Sequence, residues 1–288
     1  MGFGGCKKLL LGVGMVMMGV FGFGSLSVGT EEKSGLVSWG NSYYQTWGNP
    51  PLLLNHTSEL QLSLDTLSGS GFESVSIYGS GSFDMRIKAP DNNSTGVITS
   101  FYLTSRSSRH DEVSFQLLGS NRPPYMLNTN MILYGEGGKD QMFRLWFDPT
   151  KDYHSYRFLW NPRQLVFYVD NTPIRVFKKN PGVYYLSVQT MFVMGSVTSQ
   201  KGVTIDPKQT PYTAWFQASK IEGCITTFFN IERCIGPEFW WNRAEFSALN
   251  PREKELYRNA RKTYLDYDYC SDRARYPREP PECRIYEQ

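Results

Sequence analysis

The sequence predicts an all-β fold, a sandwich of antiparallel strands followed by a helical, cysteine-bearing C-terminal segment. Three observations carry this. From Glu59 to Phe177 apolar and polar residues alternate in successive short runs, the pattern of half-buried strands. Polar turns such as Ser68-Gly69-Ser70-Gly71 and Asp170-Asn171 separate these runs, and no stretch among them has a helical period, which points to a sandwich. From Ile221 onward the composition changes and a strong helix signal follows.

The chain has 288 residues, 40% hydrophobic and 15% aromatic, enough for one large domain or one domain with an appendage. Its formal net charge is +3, and no block of like charge suggests nucleic acid. Lys7 and Lys8 precede an apolar run from Leu9 to about Gly24, and Ser25-Leu26-Ser27 offers small residues for cleavage. Residues 1–27 therefore read as a secretory signal peptide. The run is shorter than the about 20 residues of a membrane span, so no membrane contact is expected after its removal. The remaining chain divides into 28–220, the β domain, and 221–288, the C-terminal segment.

Cys6 leaves with the signal, and Cys224, Cys234, Cys270 and Cys283 remain. An even count in a secreted chain implies disulfides, and four cysteines allow three pairings. The close spacings favour Cys224–Cys234 and Cys270–Cys283. With histidine confined to His56, His110 and His154, the spacing fits no compact zinc site, and no metal or cofactor is expected.

In chain order, Glu31 to Gly35 is polar and Trp39 to Gly48 is aromatic-rich. Asn55-His56-Thr57 is an N-glycosylation acceptor, and Asn92-Asn93-Ser94-Thr95 holds two overlapping ones, at Asn92 and Asn93. Leu60, Leu62 and Leu64 alternate in a first strand. Phe83, Met85 and Ile87 then alternate with Asp84, Arg86 and Lys88, and Val97, Thr99, Phe101 and Leu103 form the next strand. His110 to Gly119 follows, with His110, Glu112, Ser114 and Gln116 on one face and Asp111, Val113, Phe115 and Leu117 on the other. Leu165, Phe167 and Val169 lead through a turn to Ile174 and Val176. At the end, Asn250 is an N-cap, Pro251 the first helical residue and Glu253 the partner in a capping box. Leu256, Tyr257, Ala260 and Tyr264 share the apolar face of that helix, with Arg252, Lys254, Arg258 and Arg261 largely elsewhere.

His110-Asp111-Glu112-Val113-Ser114-Phe115-Gln116-Leu117-Leu118-Gly119 resembles the H-D-E-[IL]-D-F-E-F-L-G signature of plant xyloglucan endotransglucosylase/hydrolases of glycoside hydrolase family sixteen. Trp146 to His154, Trp160-Asn161-Pro162, Pro173-Ile174-Arg175 and the ending from Tyr269-Cys270-Ser271-Asp272 to Pro280-Pro281-Glu282-Cys283 resemble further blocks in the family's order. The resemblance spans about Trp39 to Cys283. It implies a curved antiparallel jelly roll whose concave sheet forms an open cleft, lengthened by the C-terminal extension. It implies the same two local disulfides. The family's sequon after the signature is absent, since Asn121-Arg122-Pro123 is not one.

A retaining glycosidase needs two carboxyl groups roughly 5 Å apart. Positions i and i+4 on a strand lie about 13 Å apart along the backbone, and side chains leaning inward from a curved strand close much of that gap. In the family these two positions carry Glu, with Asp between them. Here Glu112 matches the nucleophile, Ser114 replaces the bridging Asp and Gln116 replaces the acid/base. An amide has no proton to give near neutral pH, so Gln116 can hydrogen-bond a glycosidic oxygen but not act as a general acid. His110 shares the face but lies on the side of Glu112 away from Gln116.

The resemblance also implies sugar contacts at Asn128, Thr129 and Asn130, at Gly138, Lys139 and Asp140, and at Arg275. The family's Trp-Asn-Ala-Asp-Asp-Trp cleft loop corresponds to Thr190 to Ser196, including Gly195, and here lacks both tryptophans and the acids. Three functions follow as expectations. One is a wall enzyme that cuts and religates xyloglucan polysaccharide and oligosaccharides through a glycosyl-enzyme on Glu112. A second is a xyloglucan-binding wall protein with poor turnover, which Gln116, Ser114 and the altered loop favour. A third, a structural protein without a glycan ligand, is opposed by Glu112 and the Asn128–Asn130 block. The sequence assigns no oligomeric state.

Overall fold

The computed structural model describes residues 39–285 apart from 56, 57, 92 and 229. The expected signal peptide, the Glu31–Gly35 stretch and Asn92 lie outside the described residues. A short helix α1 (Trp39–Ser42) leads into β1 (Tyr43–Gly48), β2 (Leu52–Leu54), β3 (Glu59–Leu64) and the long β4 (Ser70–Lys88). Then come β5 (Val97–Thr104), β6 (Glu112–Leu118), β7 (Met126–Ile132), β8 (Gln141–Arg144) and β9 (His154–Trp160). β10 (Gln164–Val169), β11 (Thr172–Lys178), β12 (Met191–Ser199) and β13 (Tyr212–Ile225) follow, and helix α2 (Pro251–Tyr264) precedes β14 (Leu265–Asp268).

All described strand pairs are antiparallel, and β4 joins two layers. Residues 70–78 of β4 pair with β12 and residues 70–74 with β1. Residues 81–87 pair with β9 and residues 78–88 with β13. One layer thus runs β1, β4, β12, β5, β6, β7, β8, β14, and the other runs β11, β10, β9, β4, β13, β3, β2. At the crossing, Gly81 is required because a Cβ there would stand 2.6 Å from the Glu222 carbonyl oxygen.

The alternation sets the core. Phe101 and Phe115 from one layer meet Phe158 from the other at 5.2 and 4.7 Å, and Phe115 meets Phe167 at 5.3 Å. All four are at most 1% exposed, and each such ring stabilises the sandwich by about 1.5–3 kcal/mol through burial. The all-β, jelly-roll-like fold is the one expected.

The C-terminal segment belongs to the same compact unit, Ser34–Gln288. β13 continues to Ile225, so the sandwich runs past the division expected at 220/221. Cys224 is bonded to Cys234 and Cys270 to Cys283. The Asn250 side chain accepts from the Glu253 N–H, and the Glu253 side chain from the Asn250 N–H. Along α2, Ala260 is buried and Leu256, Tyr257 and Tyr264 half-buried. Arg261, expected largely off the apolar face of the helix, turns inward to Asp268 at 2.6 Å and Gln141 at 3.2 Å. β14 then pairs with β8 and extends the first layer by one strand. No helix among the described residues is long and apolar enough to cross a membrane.

Candidate active site

β6 presents Glu112, Ser114 and Gln116 on the face opposite the core side chains Val113, Phe115 and Leu117. The strand begins at Glu112 rather than at His110, because Asp111 is tied into the β5–β6 connection. Its backbone N–H donates to the Ser105 hydroxyl at 2.9 Å, and its carbonyl accepts from the Ser105 N–H at 2.9 Å. Its carboxylate, fully buried, accepts from the Tyr134 N–H at 2.7 Å and the Tyr184 hydroxyl at 2.9 Å. That anchor sets where Glu112 emerges.

Across the ladder, Glu112 lies between Thr104 and Ile132, Ser114 between Tyr102 and Asn130, and Gln116 between Ser100 and Asn128. Burial pushes the Glu112 carboxyl above the ordinary carboxylate range, with His110 and the Thr104 hydroxyl pulling back. Burial, with the nearby Glu112 charge, also pushes the Tyr102 phenol up to about 12. Ser114 is 2% exposed, and its Oγ has no hydrogen-bond partner among the described residues. The position between Glu112 and Gln116 therefore carries no bridging hydrogen bond.

Gln116 is held firmly. Asn128 Nδ2 donates to Gln116 Oε1 at 3.0 Å and to Asp140 Oδ1 at 3.0 Å. An ionised Asp140 only accepts, so the Asn128 amide must turn its nitrogen that way. The second hydrogen of that nitrogen then meets Gln116 Oε1, which leaves Gln116 Nε2 as the end available to the groove. Asp140 Oδ2 lies 3.7 Å from the half-exposed Arg275 side chain. A polar line runs from Gln116 through Asn128 and Asp140 to Arg275.

The other expected contacts separate into two groups. Asn130 flanks Ser114 on the groove face, its Oδ1 accepting from the Met131 N–H at 2.7 Å. Thr129 points the other way and is fully buried, bonded to the Gln141 carbonyl and to Arg175. Gly195 also faces the core: a Cβ there would stand 2.4 Å from the Phe72 ring. Strand alternation puts Met194 and Ser196 on the groove face instead. Thr190 to Ser196 is not a cleft loop, since residues 192–199 pair one for one with β5. Lys139 is turned away to Glu282 at 2.8 Å. Gly138 has φ +84°, and a Cβ there would meet Arg275 and Tyr276 at 2.6 Å. Asn55 and Asn93 are exposed.

Three features escaped the sequence reading. Tyr102 and Thr104 are on the groove face, and the alternation that put Phe101 and Leu103 inside was the available signal. Arg175 is fully buried and donates to the carbonyls of Thr129 and Lys139 at 2.7 Å each, tying β7 to the Gly138–Asp140 turn from beneath. Glu73 on β4 is buried beside the groove, bonded to Tyr44 and Arg106. No cluster of three or more potential metal ligands occurs among the described residues.

The family described as Glycosyl hydrolases family 16 matches residues 39–229, and the Xyloglucan endo-transglycosylase C-terminus matches residues 236–283. A curated relative from Arabidopsis thaliana, the probable xyloglucan endotransglucosylase/hydrolase protein 11, is 72% identical over 90% of this chain and 91% of its own. Xyloglucan endotransglucosylase/hydrolase protein 3 of the same plant is 43% identical over 86% and 89%. Among solved structures, a Thermotoga petrophila endo-1,3-β-glucanase catalytic domain is similar with TM-score 0.55 at 13% identity, over 66% of this chain and 93% of that one. A Bacillus licheniformis β-glucanase gives 0.50 at 21% identity, over 62% and 92%. These two likenesses concern the fold alone.

Proposed function

The chain belongs to glycosyl hydrolase family 16, in its xyloglucan endotransglucosylase/hydrolase branch, and from that premise we propose that it is a secreted wall protein that binds xyloglucan and turns it over slowly. The observation that carries this reading is the fixed amide of Gln116. In a retaining transfer, Glu112 attacks the anomeric carbon while a second carboxylic acid protonates the departing oxygen. Gln116 Nε2 donates a hydrogen bond to that oxygen without releasing a proton. General acid–base help is worth about 10²- to 10⁴-fold, so the donor chain is held and rarely cut.

The rest of the site supports the same reading. Asn130 and Arg275 hold hydroxyls of the glucan backbone, and Asn128, whose amide hydrogens go to Gln116 and Asp140, acts by orienting Gln116. Thr129, Lys139 and Gly138 act on the sugar only through the turn that they support, and Gly195 through the packing of β12. Glu112 keeps the nucleophile position, and burial raises its proton affinity.

A second reading, the active transglucosylase/hydrolase with a covalent glycosyl-enzyme on Glu112, is favoured by the retained glutamate and the high identity to a relative named for that activity. A transfer assay with labelled xyloglucan oligosaccharide, run beside calorimetric binding on the same sample, separates the two. Binding with transfer at least about 10²-fold below an active relative supports the first. Transfer at the relative's rate establishes the second, and absence of both rejects the groove as a xyloglucan site.

A further inference from the structure

Trp47 lies on the edge strand β1, 38% exposed, and nothing in the reaction uses it. Its indole rests on bare backbone. A Cβ on Gly71 would stand 2.5 Å from the indole nitrogen, and one on Gly69 3.2 Å from a ring carbon. Any side chain at position 71 would drive into the ring, while position 69 must be glycine chiefly because a Cβ there would stand 2.1 Å from the Val197 carbonyl oxygen.

The ladder fixes which face this is. Trp47 is opposite Gly71, Gly71 opposite Ser196, Ser196 opposite Ser100, and Ser100 opposite Gln116. Directly paired residues share a face, so Trp47 and Gln116 look out from the same face of the layer. The side chains between them are small, which keeps the floor of that row low until the ring rises at its end. Four strand steps of about 4.8 Å put Trp47 about 19 Å from Gln116 along the sheet. In the next row Tyr44, 44% exposed, bonds Glu73, and Arg106 joins the pair with its guanidinium 4.5 Å from the Phe192 ring. The bulge between Gln45 and Trp47 puts Tyr44 and Trp47 on one side of β1.

We propose that Trp47 is the platform of a sugar-stacking subsite at the β1 end of the groove, taking a glucosyl unit of the same β-linked chain that passes Gln116 and reaches Arg275 at the other end. The inference rests on the reading of the groove as a xyloglucan site. An indole offers a large, rigid apolar face at little entropic cost, suited to the C–H face of a pyranose. The Tyr44, Glu73 and Arg106 group beside it offers hydroxyl partners. The core tryptophans Trp39 and Trp160 are at most 2% exposed, whereas Trp47 keeps 38% of its surface open.

The test is the dependence of affinity on length. Xyloglucan-derived oligosaccharides of increasing backbone length are titrated calorimetrically into wild type, Trp47→Ala and Trp47→Phe, with ligand-free melting recorded for each. Wild-type affinity should rise with length. Trp47→Ala should cut the gain between the shortest and longest oligosaccharides by about tenfold, the loss typical of truncating one aromatic anchor. Trp47→Phe, with a smaller ring, should fall between and carries the test if the alanine variant does not fold. An identical length dependence in wild type and the variants overturns the subsite while leaving the groove reading intact. No binding by wild type at any length overturns both.

Discussion

The Asn128 side chain donates to Gln116 Oε1 at 3.0 Å, and this contact decides which end of the Gln116 amide meets a bound sugar. The orientation is imposed from outside the groove, by Asp140 on the far side of Asn128. Removing the intermediary should free the amide. Asn128→Ala should weaken xyloglucan oligosaccharide binding by about threefold to tenfold, the worth of one oriented hydrogen bond. Calorimetry checks this, and an unchanged affinity would show that the orientation of Gln116 does not matter.

Glu112 gives a pH dependence of stability. Burial raises its folded pKa above the ordinary value of 4.5. A carboxyl raised on folding favours the folded state while protonated and loses that contribution as pH rises through its folded pKa. Glu112→Gln should therefore raise the melting temperature at neutral pH, and the gain should shrink as pH falls through the raised folded pKa and be gone below the ordinary value of 4.5. Melting curves of both proteins across that range provide the check. A gain that persists unchanged in acid would contradict the burial penalty.

Gly195 separates packing from binding. Gly195→Ala puts a methyl against Phe72, an overpacking that should cost about 1–3 kcal/mol. Affinity per folded molecule should stay within about twofold, since the added methyl faces the core and the binding energy of an interface resides in the residues that touch the partner. Denaturant titration and calorimetry on the same variant measure the two effects. A large affinity loss at unchanged stability would return Gly195 to the list of sugar contacts.

The Cys270–Cys283 bond closes the loop that carries Arg275 and the Tyr276 hydroxyl, which donates to the Gly138 carbonyl at 2.6 Å. Cys270→Ser should destabilise by about 2–4 kcal/mol and lower affinity for longer oligosaccharides. Chemical denaturation reads the first, and a stability unchanged within about 0.5 kcal/mol would show that the loop holds itself.

The period-two pattern made the sandwich legible, since each run that alternates in sequence buries its apolar face. Alternation showed only that Glu112, Ser114 and Gln116 share one face of β6, and their roles as nucleophile, bridging and acid/base positions are what the resemblance implies. Alternation also held the answer for Thr129 and Gly195: each neighbours a groove residue in sequence and therefore faces the core. Resemblance to sugar-contacting blocks assigned them to the groove without asking which way each side chain points. Arg175 was not legible, because its partners, Thr129 on β7 and the Lys139 carbonyl in the following turn, are far away in sequence. The division at 220/221 followed composition, whereas β13 is held to Ile225 by its ladder to β4.

The central claim is that Gln116 stands where a proton donor is needed, with Ser114 leaving the pair unbridged. The most direct test is the initial rate of transfer from xyloglucan to a labelled oligosaccharide for wild type, Gln116→Glu, Ser114→Asp and the double variant. Gln116→Glu restores a titratable group but leaves two glutamates whose proton affinities depend on each other. It should raise the rate partly, and Ser114→Asp alone should do little. The double variant should gain more than the two singles combined, as residues of one network do, and reach at least about 10²-fold over wild type. A wild type that already matches an active relative, or a double variant no faster than wild type, would contradict the account.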